Sequence, residues 1–191
     1  MNIGLFFGSF NPIHIGHMMI AHYMAHFTEL DEVWLVVSPL NPFKRKNDLI
    51  EVYDRLEMVK LATEDDDKIR VSDIELSLPQ PSYTIDTLVC LSERYPQHHF
   101  GLIMGEDNLQ TLYRWKNYDI ILRDYRIWVY PRHGQFSPHE LLNHSSVILT
   151  ETPKIELSAT FIRNALAEGK DMRYFVPDKV LDFIERKGLF R

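Results

Sequence analysis

A single cysteine, Cys90, occurs in the 191 residues, so the chain can build neither an internal disulfide nor a thiolate metal site. A reducing, intracellular setting follows as the simple expectation. Cys90 itself sits in an apolar helical stretch and reads as core. Basic excess is also missing: a formal charge of -6 and a pI near 5.8 argue against a general binder of nucleic acid, which needs cations to displace counterions. No apolar stretch reaches the roughly eighteen residues that a bilayer span requires, and no basic leader precedes the first strand-like run. Internal repeats and low-complexity tracts are absent, and the acidic run Glu64-Asp65-Asp66-Asp67 reads as a solvated helix end. A cytoplasmic protein with no membrane or nucleic-acid partner is therefore expected. It is expected to form one domain, residues 1–191, while homo-oligomerisation is left open.

What is present concentrates at the beginning. Ile3 to Phe7 is short, apolar and stopped by Gly8, the pattern of a central strand buried on both faces of a parallel sheet. Asn11-Pro12 signals a turn, and apolar residues then run almost unbroken from Ile15 to Phe27, as in a buried helix. A strand feeding a helix N-terminus favours anions through backbone N–H groups and the helix dipole. His14 and His17 stand three apart on an early helical turn, so both rings can donate to one phosphate chain.

Further along, Glu32 to Ser38 reads as a second buried strand, followed by a polar, basic loop from Leu40 to Asp48. Leu49 to Glu64 has helical spacing in Leu56, Val59, Lys60 and Ala62, and Ile69 to Ile74 alternates like a third strand. Ser82-Tyr83-Thr84 supplies hydroxyls to start a helix from Ile85 to Tyr95. His99 to Met104 is a fourth strand ending in Gly105-Glu106-Asp107, where Asp107 is either a helix cap or an acceptor for a ribose hydroxyl. Trp115, among short helical pieces, is either core or a surface on which a ring stacks. Arg126 to Tyr130 and Val147 to Leu149 complete the strands. Ser158 and Thr160 open a helix carrying Arg163, as plain caps or as holders of a triphosphate tail, and a last helix runs from Pro177 to Lys187. This alternation predicts an α/β fold, a doubly wound parallel sheet. Its strand ends would gather Gly8 to His17, Pro42 to Lys46, Gly105 to Asp107 and Pro131 to His133 on one edge.

The segment Gly8-Ser9-Phe10-Asn11-Pro12-Ile13-His14-Ile15-Gly16-His17, paired with Ser158-Ala159-Thr160-Phe161-Ile162-Arg163, resembles the signature of the Rossmann-like nucleotidyltransferase superfamily. Within it the chain is similar to the nicotinate-nucleotide adenylyltransferases over nearly its full length. The supporting stretches are Pro81 to Leu88, Gly105-Glu106-Asp107 with Leu109, Leu112 and Trp115, and Tyr174-Phe175-Val176-Pro177. The resemblance implies transfer of AMP from ATP to nicotinate mononucleotide, giving deamido-NAD and pyrophosphate, with Mg²⁺ accompanying the triphosphate and no metal site formed by the protein. It implies His14 and His17 as the catalytic donors. It implies ATP contacts from Gly8, Ser9, Phe10, Gly105, Asp107, Ser158, Thr160 and Arg163, and mononucleotide contacts from Asn11, Lys44, Thr84, Thr87, Trp115 and Arg132, with Trp115 stacking on the pyridine. His22, His26, His98, His99, His139 and His144 have no motif support.

Asn11 and Phe43 depart from the bacterial pattern, which usually has Asp and His there. Nicotinamide mononucleotide is therefore a rival acceptor. Phosphopantetheine adenylyltransferases and cytidylyltransferases share the early motif but not the tryptophan-bearing segment. His14-Ile15-Gly16-His17 also spells an element of class I aminoacyl-tRNA synthetases, whose lysine-rich partner loop is missing here. A nucleotide-sensing module with a dead site is the non-enzymatic alternative.

Overall fold

The computed structural model describes residues 1–39, 49–132 and 139–191. Six strands form one sheet: β1 (Asn2–Gly8), β2 (Glu32–Val37), β3 (Ile69–Ser72), β4 (His99–Gly105), β5 (Ile127–Tyr130) and β6 (Val147–Leu149). Their order is β3-β2-β1-β4-β5-β6, and all neighbours are parallel. Strands β1 and β2 read as continuous apolar runs because both of their faces are covered.

The longer helices are α1 (Ile15–Phe27), α2 (Val52–Thr63), α3 (Thr84–Arg94), α4 (Glu106–Gln110), α5 (Tyr118–Asp124), α6 (Ala159–Ala167) and α7 (Asp178–Lys187). On one face, Met24 of α1, Met58 of α2, Ile162 of α6 and Ile184 of α7 pack with Phe6, Leu35 and Trp128. On the other, Leu88 of α3, Leu109 of α4 and Ile121 of α5 pack with Leu5, Leu102 and Val129. The doubly wound expectation is thus met. Because side chains alternate along each strand, Phe6 and Leu5 serve opposite layers.

Two elements differ from the sequence reading. The third strand stops at Ser72, and Ile74–Leu76 turns as a 3₁₀ helix, carrying Glu75 into the interior. Glu106 and Asp107, read as lying just past a strand end, begin the helix α4. Among the described residues, no helix is long and apolar enough to cross a membrane.

The strand order reverses direction between β1 and β4, the switch point where open α/β sheets leave a crevice at their carboxyl ends. Gly8 ends β1 and Gly105 ends β4. The fold therefore places the two glycine-bearing turns on either side of that crevice.

Candidate active site

A cavity of about 650 Å³ opens at the switch point. That is the size range, ~300–1,000 Å³, usual for small-molecule sites. It is lined from β1 and its loop by Gly8, Ser9, Phe10 and Asn11, from α1 and its N-cap by His17 and His14, and from α6 and its N-cap by Thr160, Arg163 and Ser158. Asp107, Trp115 and Arg132 close the far side. Segments separated by as many as 152 positions meet directly here: Arg163 Nη1 donates to the Asn11 carbonyl at 2.9 Å.

The two histidines are stacked, with ring centroids 3.7 Å apart and planes at 26°. The backbone N–H of His14 donates to His17 Nδ1 at 3.3 Å. That bond assigns the His17 proton to Nε2, which becomes the ring's donor. Gly16 makes the stack feasible, because a Cβ there would come within 3.0 Å of His14 Nδ1 and 3.1 Å of Ile155 Cγ2. The residue between the two histidines' turns must be small for reasons of space. His14 is buried, and its Nδ1 has no hydrogen-bond partner among the described residues. Burial, with the positive charge of Arg132 in support, lowers its pKa from 6.5 to about 4, so His14 is neutral at physiological pH.

The anion-attracting end of α1 works differently from the simple expectation of free helical amides. Ile15 N–H donates to the Phe175 carbonyl at 3.0 Å, and His17 N–H to the His14 carbonyl at 2.9 Å. With those donors engaged, the helix dipole, the histidine rings and the Gly16 amide are what α1 offers a phosphate. The Tyr174-Phe175 stretch is thereby explained: Phe175 anchors the start of the helix that carries the histidines.

Phe10 also acts less directly than expected. It adopts φ 45, a left-handed conformation unusual for a bulky residue. Its ring lies over Gly8, where a Cβ would sit 2.7 Å from Phe10 Cζ. The ring edge meets His17 at 5.1 Å and Phe6 at 6.2 Å between centroids. Gly8 therefore makes room for Phe10, and Phe10 braces His17. Asn11 is buried, and its Oδ1 accepts from Ile50 N–H at 3.3 Å. This is an acceptor role, and a carboxylate oxygen has the same acceptor capacity.

Across the cavity, Asp107 Oδ1 accepts from Arg132 Nε at 3.1 Å. Gly105 does not line the cavity; a Cβ on it would lie 2.5 Å from Asp107 Oδ1 and 2.9 Å from Arg132 Nε, so its role is clearance for this pair. Asp107 is not a helix cap, since Gly105 occupies that position. The pair joins a residue expected at adenosine to one expected at the mononucleotide. Both partners are exposed, so the pair itself adds little stability and its members can exchange partners when a ligand enters. Trp115 lines the cavity while packing partly on the core, which reconciles its two readings.

The Ser82–Thr87 segment departs most from expectation. Thr87 is fully buried, and its hydroxyl donates to Glu75 Oε1 at 2.9 Å. It is a core residue and does not line the cavity. Thr84, half-buried on the first turn of α3, is also absent from the lining. Glu75 is the buried acid that draws these hydroxyls inward. Burial raises its pKa, while hydrogen bonds from Ser38, Thr87 and Ser82 act in the opposite direction. Lys44 and Phe43 lie outside the described residues. Ser158 caps α6, its Oγ accepting from Phe161 N–H at 3.2 Å, and Thr160 Oγ1 accepts from Arg163 Nη2 at 3.3 Å. Ser158 is therefore helix cap and cavity wall at once.

Sequence reasoning passed over the roles of Arg55 and Glu75, and it singled out Phe175 only within the Tyr174-Phe175-Val176-Pro177 stretch, without a role. Arg55 left a signal, being a charged residue among Leu56, Met58 and Val59 on the buried stripe of α2. Glu75 left none, because its role is set by partners distant in the chain.

Residues 5–165 match the cytidylyltransferase-like family. A protein of Flavobacterium johnsoniae named "probable nicotinate-nucleotide adenylyltransferase" is 50% identical over 192 residues, covering 100% of both chains. One of the same name from Cytophaga hutchinsonii is 52% identical over 184 residues, covering 96% of this chain and 95% of its own. Among solved structures, the Plasmodium falciparum nicotinic acid mononucleotide adenylyltransferase complexed with NaAD is similar at a TM-score of 0.80, with 21% identity and coverage of 99% and 97%. That likeness concerns the fold, whereas the two bacterial relatives carry the assignment. Matching such relatives from end to end, the chain belongs to the nicotinate-nucleotide adenylyltransferase family of cytidylyltransferase-like proteins.

Proposed function

We propose that this chain transfers the adenylyl group of ATP to nicotinate mononucleotide, with one nucleotidyltransferase domain, residues 1–191, acting in the cytoplasm. The observation that carries the reading is the meeting of His14 and His17 with Ser158, Thr160 and Arg163 around one cavity at the β1–β4 switch point.

An oxygen of the mononucleotide phosphate attacks the α-phosphorus in line. The bond from that phosphorus to the bridging oxygen of the β-phosphate breaks, and pyrophosphate leaves. The attacking group is already an anion, so no protein nucleophile is needed. Catalysis reduces to alignment and to stabilising charge on the transferred group and the leaving pyrophosphate. His17 donates from Nε2, and neutral His14 gives the phosphates a second donor. Arg163, Ser158 and Thr160 hold the far phosphates. Gly105 and Asp107 border adenosine, the former through the space it leaves. Trp115 offers its ring face to the pyridine, with Arg132, Asn11, Lys44 and the α3 start carrying Thr84 toward the mononucleotide.

Mg²⁺ would enter bound to the triphosphate of ATP. Asp107 is the carboxylate among the described lining residues, and Arg132 already engages it, a donor set that suits a cation carried by ATP. When bound, the ion would supply charge neutralisation for the departing pyrophosphate.

The reading is tested by pyrophosphate release from ATP·Mg²⁺ with nicotinate mononucleotide, nicotinamide mononucleotide or phosphopantetheine in parallel, and from CTP·Mg²⁺ with the same acceptors. The fastest release is expected with ATP and nicotinate mononucleotide. Faster release with the nicotinamide compound would reassign the acceptor. Binding of ATP and mononucleotide without any release would favour the sensing module.

A further inference from the structure

Arg55 is a cation buried to 1% exposure on α2, outside the cavity wall. Its partners are backbone carbonyls contributed by three places in the chain. Nη1 donates to Ser9 O and to Ser38 O, each at 2.7 Å. Nη2 donates to Pro39 O at 2.9 Å, and Nε to Ile50 O at 3.3 Å. Ser9 leaves β1, Ser38 and Pro39 leave β2, and Ile50 precedes α2. The planar guanidinium presents several donors in a fixed fork, which a lysine ammonium cannot reproduce.

The placement of these bonds makes them more than packing. Ser9 and Asn11 flank Phe10, whose φ of 45 is an unfavourable conformation for its residue type. Arg55 holds the carbonyl on one side, and Arg163 of α6 holds the Asn11 carbonyl on the other. Ile50 completes a ring of contacts, accepting from Arg55 through its carbonyl and donating to Asn11 Oδ1 through its N–H. The loop so clamped ends in the Phe10 ring that meets His17.

We propose that Arg55 is a positioning residue for adenylyl transfer: it ties the turn after β1 to the segment leaving β2, and so fixes Phe10 and His17 against the reacting phosphates. The proposal rests on the reaction assigned above. Burial lowers the Arg55 pKa to about 10, with the Glu51 charge acting in the opposite direction, so the guanidinium remains charged at neutral pH.

The test compares wild type with Arg55→Ala and Arg55→Lys, the latter keeping charge and stem so that folding survives if Ala fails. Two readouts are taken: kcat and KM for ATP and nicotinate mononucleotide, and amide hydrogen exchange in peptides covering residues 8–13. Misplacement of reacting groups by about 1 Å costs roughly 10²-fold in rate. A fall of that order in kcat is expected for Arg55→Ala, with KM changing less, faster exchange confined to residues 8–13, and partial rescue of kcat by millimolar guanidinium chloride. Arg55→Lys is expected to fall between. Wild-type kcat and wild-type exchange in either folded variant would overturn the proposal. If wild type itself forms no dinucleotide, the reaction assignment fails, while the exchange data still decide whether Arg55 clamps the loop.

Discussion

The Ser9–Asn11 loop and the Ser82–Thr87 segment both follow strands on the same edge of the sheet, and both carry polar residues that fit a ligand-facing reading. Only the first lines the cavity. Its backbone is held from behind, by Arg55 at Ser9 and Arg163 at Asn11, while Phe10 packs over Gly8 and against His17. In the second, Glu75 sits beneath the chain and takes the Thr87 hydroxyl inward. In each segment a buried polar side chain behind the chain fixes which groups turn away from the cavity. An arginine behind a loop takes carbonyls, whereas an acid behind a helix takes hydroxyls.

The contrast can be broken at three points. The largest effect is expected at His17. Removing one preorganised donor commonly costs about 10²–10³-fold in rate, and a folded His17→Ala protein should lose that much kcat in a pyrophosphate-release assay. Turnover near wild type would mean that the stacked histidines do not face the transferred phosphate.

Next comes the pH dependence that His14 imposes. The unfolded chain takes up this proton below pH 6.5, but the folded one only below about 4. The stabilising contribution is therefore complete above 6.5, falls as pH drops through that window, and is gone below about 4. Its size is on the order of 3 kcal/mol. Urea unfolding of wild type should lose more stability than His14→Asn between about pH 7 and about pH 4.5. Parallel losses in the two proteins would refute a neutral, buried His14.

The smallest effect belongs to the second segment. Thr87→Val removes one hydrogen bond to a buried acid, a loss of about 1–3 kcal/mol in unfolding free energy, with kcat and both KM values unchanged. A raised KM for the mononucleotide at wild-type stability would return Thr87 to the site.

The layout of the molecule was largely legible in the sequence. Helix α1 and strand β6 have the bounds read from their apolar runs alone. Strand order alone put His14, His17, Asp107 and Arg132 on one edge, the resemblance added Trp115, Ser158, Thr160 and Arg163, and all eight line one cavity. What escaped were relations across the chain. Thr87 looks identical to a ligand-binding threonine until Glu75, twelve positions earlier, is seen beside it. Gly8 and Gly105 read as places for a ligand to approach, but the atoms that occupy their space belong to Phe10, Asp107 and Arg132. Arg55 broke the apolar stripe of α2, and only the ends of β1 and β2 reveal why.

The central claim is attack at the α-phosphorus, and ATP labelled with ³²P at that position tests it most directly. Incubation with Mg²⁺ and nicotinate mononucleotide should carry the label into the dinucleotide, with unlabelled pyrophosphate released in equal amount. Release of ADP or orthophosphate, or label left in AMP without dinucleotide, would contradict the account.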